Sequence, residues 1–164
     1  MGNCLSLKGH KHKQLYSASY EHTPKHSLTG RSFEAVIVDC YDGDTCVAAF
    51  KAYDKIELFH CRLDGIDTPE MTGNTKKKAL DARDLFVSMI STQRLTKRDA
   101  TRKEVREHLR QYKKLVTIHC KDNDKYGRVL TTLYDGDSNI NASLVLSGVA
   151  KPYHGGTKES FEVG

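Results

Sequence analysis

The segments Asp42-Gly43-Asp44-Thr45, Arg62-Leu63-Asp64-Gly65-Ile66-Asp67-Thr68-Pro69-Glu70 and Asp124-Lys125-Tyr126-Gly127-Arg128 carry the side chains of this chain best suited to chemistry. Aspartate and threonine oxygens, with water, are hard ligands that suit Ca²⁺ better than zinc. Arg62 and Arg128 can each grip a phosphate through two parallel N–H bonds. Guanidinium groups beside a divalent cation stabilise the charge that grows on the equatorial oxygens when a phosphodiester is cleaved. Glu70, just beyond a candidate ligand, could orient or deprotonate an attacking water. No single segment suffices. Together they supply the parts of a metal-assisted phosphodiester cleavage, at a site with few protein ligands, weak metal binding and several waters.

Each residue also has a plainer reading. Aspartates beside glycine and threonine stabilise turns with their own side chains. That reading is the stronger one for Asp42 and stays open for Asp44, Asp67 and Glu70. An arginine at the edge of a strand is ordinarily a surface residue.

For the three segments to meet, the chain between them must fold back repeatedly. Phe33 to Asp39, with Val36-Ile37-Val38, reads as a strand, and Thr45 to Phe50 as a second after a turn at Asp42-Gly43. Lys55 to Leu63 reads as a third, with Ile56, Leu58 and His60 alternating weakly against Glu57, Phe59 and Cys61; Pro69 ends the extended run. Thr75 to Ser91 changes to helical period, with Ala79, Ala82, Phe86, Met89 and Ile90 on one face. A second helix follows a capping-box pattern at Thr101 and Glu104, with a narrow stripe of Val105, Leu109 and Tyr112. Lys114 to Cys120 and Arg128 to Tyr134 read as strands four and five, and Asn141 to Val149 as a short helix closed by Gly148 or a later glycine. The order predicts a mainly β fold with helices: a five-stranded Greek-key barrel of the OB type with about three helices packed outside. Residues 1–32 read as a flexible basic leader and 33–164 as the barrel domain.

The net charge of +5 over 164 residues is unevenly spread. Residues 1–32 carry +4 and residues 92–114 carry +6, which leaves −5 for the rest. An acidic body with two basic appendages fits a cation site flanked by surfaces for polyanions, or simply solvated charge. None of the five cysteines forms a C-x-x-C pair, so a zinc site is not expected, and reduced, mostly buried thiols are. No stretch of 18 or more apolar residues exists, and no secretory signal is visible.

Met1-Gly2-Asn3-Cys4-Leu5-Ser6 matches the N-myristoylation pattern, in which Gly2 supplies the unhindered α-amine. One acyl chain holds a bilayer only marginally. Cys4 is a candidate for S-acylation, and Lys8, Lys11 and Lys13 are placed to meet anionic headgroups. The plainer alternative is an ordinary leader. The convergence of signals favours a lipidated basic N-terminus on an anionic membrane surface, at the cytoplasmic face and most readily of the plasma membrane, in a eukaryotic cell or a virus using one. No protein partner is predicted.

These motifs resemble those of the staphylococcal, thermonuclease-type nuclease family. The likeness runs from about Phe33 to Lys158 and also takes in Asn139-Ile140-Asn141-Ala142 and Gly148-Val149-Ala150. It implies an OB-fold barrel and calcium-dependent hydrolysis of DNA and RNA, with one Ca²⁺ ion and little sequence specificity. By position, Asp44 and Asp67 look like carboxylate ligands of the metal, and Thr68 like a ligand through its backbone carbonyl. Glu70 looks like the general base, and Arg62 and Arg128 like the phosphate clamps. Lys125 and Tyr126 are similar to residues that contact a terminal phosphate. Tyr153 is similar to one near the bound nucleotide, where stacking tolerates any base, or else is a packing residue.

Two features depart from the family pattern. Residues from roughly Thr92 to Tyr112 lengthen the connection from helix to strand, and this basic insertion could grip nucleic-acid backbone, lie on an anionic membrane or be a plain solvated helix. The chain also stops at Gly164, where the family usually continues into a helix; the insertion helix could cover that flank. The rival to a nuclease is a non-catalytic scaffolding or nucleic-acid-binding barrel, with a basic lipid-binding adaptor as a third reading. The presence of Asp44, Arg62, Asp67, Glu70 and Arg128 together argues for the enzyme.

Overall fold

The apolar runs on either side of Asp42-Gly43 pair as expected, because alternate residues of each find a common interior. β1 (Ser32–Cys40) runs antiparallel to β2 (Thr45–Phe50), with Ile37 opposite Ala48 and Cys40 opposite Cys46, all buried. A register shift between Ile37 and Asp39 turns Asp39 to the side opposite the core face. β3 (Glu57–Leu63) adds to β2, with Thr45 opposite Arg62. Its inward residues are Phe59, Cys61 and Leu63, whereas Ile56 and Leu58 are exposed, so the core uses the other phase of the weak alternation. Stacking decides this phase: Phe59 lies on Phe50 at 4.0 Å between ring centroids, and Phe50 on Phe33 at 4.8 Å.

β4 (Ile66–Asp67), a 3-10 turn (Gly73–Thr75), α1 (Lys76–Met89) and α2 (Arg102–Gln111) precede β5 (Leu115–Asn123) and β6 (Val129–Asp135); β7 (Ser138–Asn139), α3 (Ile140–Leu146) and β8 (Lys151–Pro152) complete the order. The sheet order β3-β2-β1-β5-β6 closes on itself through a parallel β3–β6 pairing, Cys61 opposite Val129 and Arg62 opposite Leu130. Across residues 32–152 the result is the five-stranded closed barrel with three α-helices. Antiparallel pairing of β4 with β8 sets Ile66 opposite Pro152 and Asp67 opposite Lys151.

The computed structural model describes residues 12, 13, 15–156, 160 and 161; Gly2 and Cys4, the expected lipidation positions, lie outside the described residues. Among the described residues no helix is long and apolar enough to cross a membrane. Packing starts ahead of β1, where Leu28 is buried against the core and Thr29 donates to Asp122 at 2.7 Å. Cys40, Cys46, Cys61 and Cys120 are free and buried.

The helices follow their sequence signals closely. α1 buries Ala79, Ala82 and Phe86, each worth its transfer energy, about 1.5–3 kcal/mol for a large side chain such as Phe86. α2 starts with both arms of the capping box in place, Thr101 accepting from the Glu104 amide and Glu104 from the Thr101 amide. Its Val105 and Leu109 are fully buried, and its Arg102 and Arg106 converge on Asp39. α3 is shorter than expected: Gly148 at φ +75° ends it, its N–H turning back to Val145 O at 2.9 Å.

Candidate active site

One open cleft of about 730 Å³ is lined by Asp44, Arg62, Asp67, Thr68, Glu70, Lys125, Tyr126, Arg128 and Tyr153, every site residue expected in the barrel. The barrel's closure explains the gathering. Thr45 faces Arg62 across β2 and β3, and the parallel β3–β6 register brings the chain just before Val129, and so Arg128, to the same end. Arg128 Nη1 accordingly reaches Thr45 Oγ1 at 3.4 Å.

Asp44, Asp67 and Thr68 are nearly buried, with exposures of 5%, 5% and 4%. Asp44 Oδ2 accepts the Thr68 amide at 2.9 Å, which ties the β1–β2 loop to the residues after β4. Asp44 Oδ1 accepts from Thr45 Oγ1 at 3.2 Å. Asp42 performs the turn role foreseen for it, its Oδ1 accepting the Asp44 amide at 3.1 Å. Gly43 is wedged in this loop; a Cβ there would stand 2.8 Å from both Ala82 Cβ and Thr68 Cγ2.

Arg62 organises the floor. Its Nη1 donates to the carbonyls of Leu63 and Ile66 at 3.1 and 3.0 Å, and its Nη2 donates to Asp67 Oδ1 at 3.0 Å. The same guanidinium stands 3.4 Å from Asp44 Oδ2. Two nearly buried carboxylates thus contact the same guanidinium. Burial first, then the charges of Asp42 and Asp67, push the Asp44 carboxyl up to about 7, against the pull of Arg62 and the Thr68 amide.

That imbalance bears on whether a metal fits. The donors at hand are all oxygen, which suits a hard cation, and a divalent charge would offset the second carboxylate. Among the described residues, no group of three or more His, Cys, Asp or Glu side chains is arranged to hold a metal ion. A cation held by Asp44 and Asp67 would therefore complete its shell with backbone carbonyl and water.

Glu70 is exposed at the rim, and its carbonyl is fixed by the Thr75 hydroxyl at 2.9 Å. Arg128 is held by Asp124, whose Oδ2 accepts from Nε at 2.7 Å and whose Oδ1 accepts the amides of Tyr126 and Arg128 at 2.9 and 3.0 Å. Burial works to raise the Asp124 pKa, but these amides and the guanidinium outweigh it and hold the carboxyl below its ordinary value. Gly127 at φ +81° lets the turn close. The exposed Tyr126 ring carries Lys125 Nζ at 5.1 Å and Arg128 at 5.4 Å from its centroid. Tyr153 takes its place through its amide, which donates to Gly65 O at 2.8 Å beside the β4–β8 pair.

Sequence reasoning quoted Asp124 without a role and passed over Lys121 and His154, which also line the cleft. Lys121 pairs with Asp64 there. Asn141 lies deeper: its side chain accepts the Leu133 amide at 3.1 Å and donates to Asp64 O and Thr131 O at 2.9 and 3.0 Å. It thereby pins the end of β3 to β6 beneath Arg62. In the sequence Asn141 stood out only within the Asn139-Ile140-Asn141-Ala142 motif and at the start of a helix, without this role.

Compared with protein-family models, residues 60–162 match the model described as Staphylococcal nuclease homologue, more than half of the chain. No curated protein matches.

Proposed function

The chain belongs to the staphylococcal nuclease family, and from that membership we propose that it is a calcium-dependent endonuclease hydrolysing phosphodiester bonds in DNA and RNA with little sequence specificity. The observation that carries the proposal is Arg62, one guanidinium braced by both Asp44 and Asp67 in a cleft shared with Arg128. Asp44 and Asp67, with the Thr68 carbonyl, are the residues that would hold Ca²⁺. Bound there, the ion would supply Lewis-acid polarisation of the phosphoryl group.

The chain's own groups do the rest. Arg62 and Arg128 bind the non-bridging oxygens and neutralise the charge that develops as water adds to phosphorus and the ester bond to the leaving oxygen breaks. Because carbonyls and carboxylates already fix Arg62, and Asp124 and Thr45 fix Arg128, little reorganisation accompanies the reaction. Glu70, exposed and ionisable at the rim, receives the proton of the attacking water. Lys125 and Tyr126 receive a terminal phosphate, and Tyr153 lies beside the nucleotide.

The N-terminal motif extends the proposal: a myristoyl group on Gly2, with acylation of Cys4 and the basic run, tethers the enzyme to the cytoplasmic face of the plasma membrane. Purified protein incubated with single- and double-stranded DNA and RNA, in calcium or in EGTA, tests the activity. Cleavage in calcium alone is expected. Binding without cleavage under both conditions would mark a non-catalytic barrel instead. For the tether, Gly2→Ala is expected to move the protein to the soluble fraction, and unchanged membrane association would reject it.

A further inference from the structure

α2 presents Arg102, Arg106 and Arg110 at positions i, i+4 and i+8, along one helix face at steps of about 6 Å. Their side chains are 47%, 56% and 71% exposed, so the row opens progressively to solvent. The inner end of the row is preorganised. Asp39, only 4% exposed, accepts from Arg102 Nε at 2.9 Å and from Arg106 Nη2 at 2.7 Å, which fixes the orientation of both planes. Arg110 in turn donates from Nε to Glu107 at 3.0 Å, and because a guanidinium has five N–H donors, one carboxylate partner leaves each arginine capacity for a phosphate. Arg102 also lies over the Tyr41 ring, 5.6 Å from its centroid. Tyr41 is half-exposed and directly precedes Asp42, which lines the cleft.

We propose that this ridge is a second contact surface for the nucleic-acid substrate: a strand leaving the cleft past Asp42 stacks a base on Tyr41 and lays successive phosphates along Arg102, Arg106 and Arg110. The inference rests on the nuclease reading and gives it a substrate class, polynucleotides long enough to span cleft and ridge. Stacking and charge-assisted contacts of this kind are indifferent to sequence. A lipid surface fits less well. Amphipathic membrane helices insert an apolar face, and the apolar residues of α2, Val105 and Leu109, are both buried in the barrel's core.

The test compares wild type with Arg110→Glu and with Tyr41→Ala/Arg110→Glu, each checked for an unchanged thermal midpoint. The readout is the KM for a long single-stranded oligonucleotide relative to that for a dinucleotide, at several salt concentrations. In the double variant that ratio is expected to rise about tenfold and the salt dependence of long-substrate binding to flatten by about one ion. An unchanged ratio and slope would overturn the ridge, as would a variant that keeps both but loses affinity for phosphatidylserine vesicles. Were wild type to cleave nothing, the nuclease reading would fail, and fluorescence anisotropy of the oligonucleotide would test the ridge alone: weaker binding by the variants supports it, and equal binding refutes it.

Discussion

Arg62 donates to Asp67 at 3.0 Å, so the guanidinium proposed to bind a phosphate is bonded to a carboxylate proposed to hold the metal. The two functions are mechanically one unit, since the same guanidinium also holds the Leu63 and Ile66 carbonyls. Arg62→Lys keeps the charge but replaces a planar fork by a point donor that cannot span these partners. In steady-state cleavage of DNA, its kcat is expected to fall about 10²–10³-fold, the scale for removing one transition-state donor. Wild-type kcat in the lysine variant would show that the bracing is dispensable.

Glu70 is exposed at the rim of the cleft, and Glu70→Gln keeps the size and shape of the side chain while removing the carboxylate proposed as the base. The variant is expected to melt at the wild-type temperature while losing about 10²–10⁴-fold in kcat. Circular dichroism and initial rates at saturating calcium measure the two quantities. Retention of full turnover would remove Glu70 from the role of base.

Asp44 makes the metal-free protein sensitive to pH. Burial raises its folded pKa to about 7 against an ordinary 3.8, so between these values the folded state binds a proton the unfolded state has lost. The stability it contributes is fully present below about 3.8 and is lost as pH rises through about 7. Calcium must displace the same proton, so affinity is expected to weaken as pH falls below about 7. Urea unfolding in EGTA and calorimetric titration with calcium, across this range, should show opposite trends. Asp44→Asn should flatten the unfolding trend, and an equal slope in that variant would assign the effect to another group.

Much of this was legible because local rules and tertiary demands agree. Phe33 to Asp39, Thr45 to Phe50 and the helical period from Thr75 to Ser91 form elements within a residue or two of their expected limits. The three polar segments were legible as one site because each combines turn residues with charges that no core requires. The phase of β3 was hidden, since Ile56-Glu57-Leu58-Phe59 offers apolar residues on both faces and only the aromatic stack on Phe50 selects one. Asp39 read as the end of a strand; its partners lie 63 and 67 residues away on a helix whose register the sequence alone leaves undetermined. The role of Asn141, quoted only as part of a motif, was hidden for a similar reason. Its three bonds join strands that meet only through the parallel closure of the barrel, a long-range event without a local signature.

Gly43 supplies the sharpest packing test of the loop proposed to hold the metal. Its constraint is steric: an added Cβ would stand 2.8 Å from Ala82 Cβ and 2.8 Å from Thr68 Cγ2. Ala82 is fully buried on α1 and has no rotamer with which to yield. The loop must therefore move, and Thr68 with it, stretching the 2.9 Å bond from the Thr68 amide to Asp44 that joins the two segments proposed to hold the metal. Overpacking of this kind costs about 1–3 kcal/mol. Gly43→Ala is expected to lower the urea midpoint accordingly and to weaken calcium binding, whereas Gly127→Ala, with open space about its Cβ, should cost stability only through its positive φ and leave calcium binding intact. Equal calcium affinity in Gly43→Ala and wild type would mean that the loop absorbs the extra methyl without disturbing Asp44, and that the wedge against α1 does not set the site.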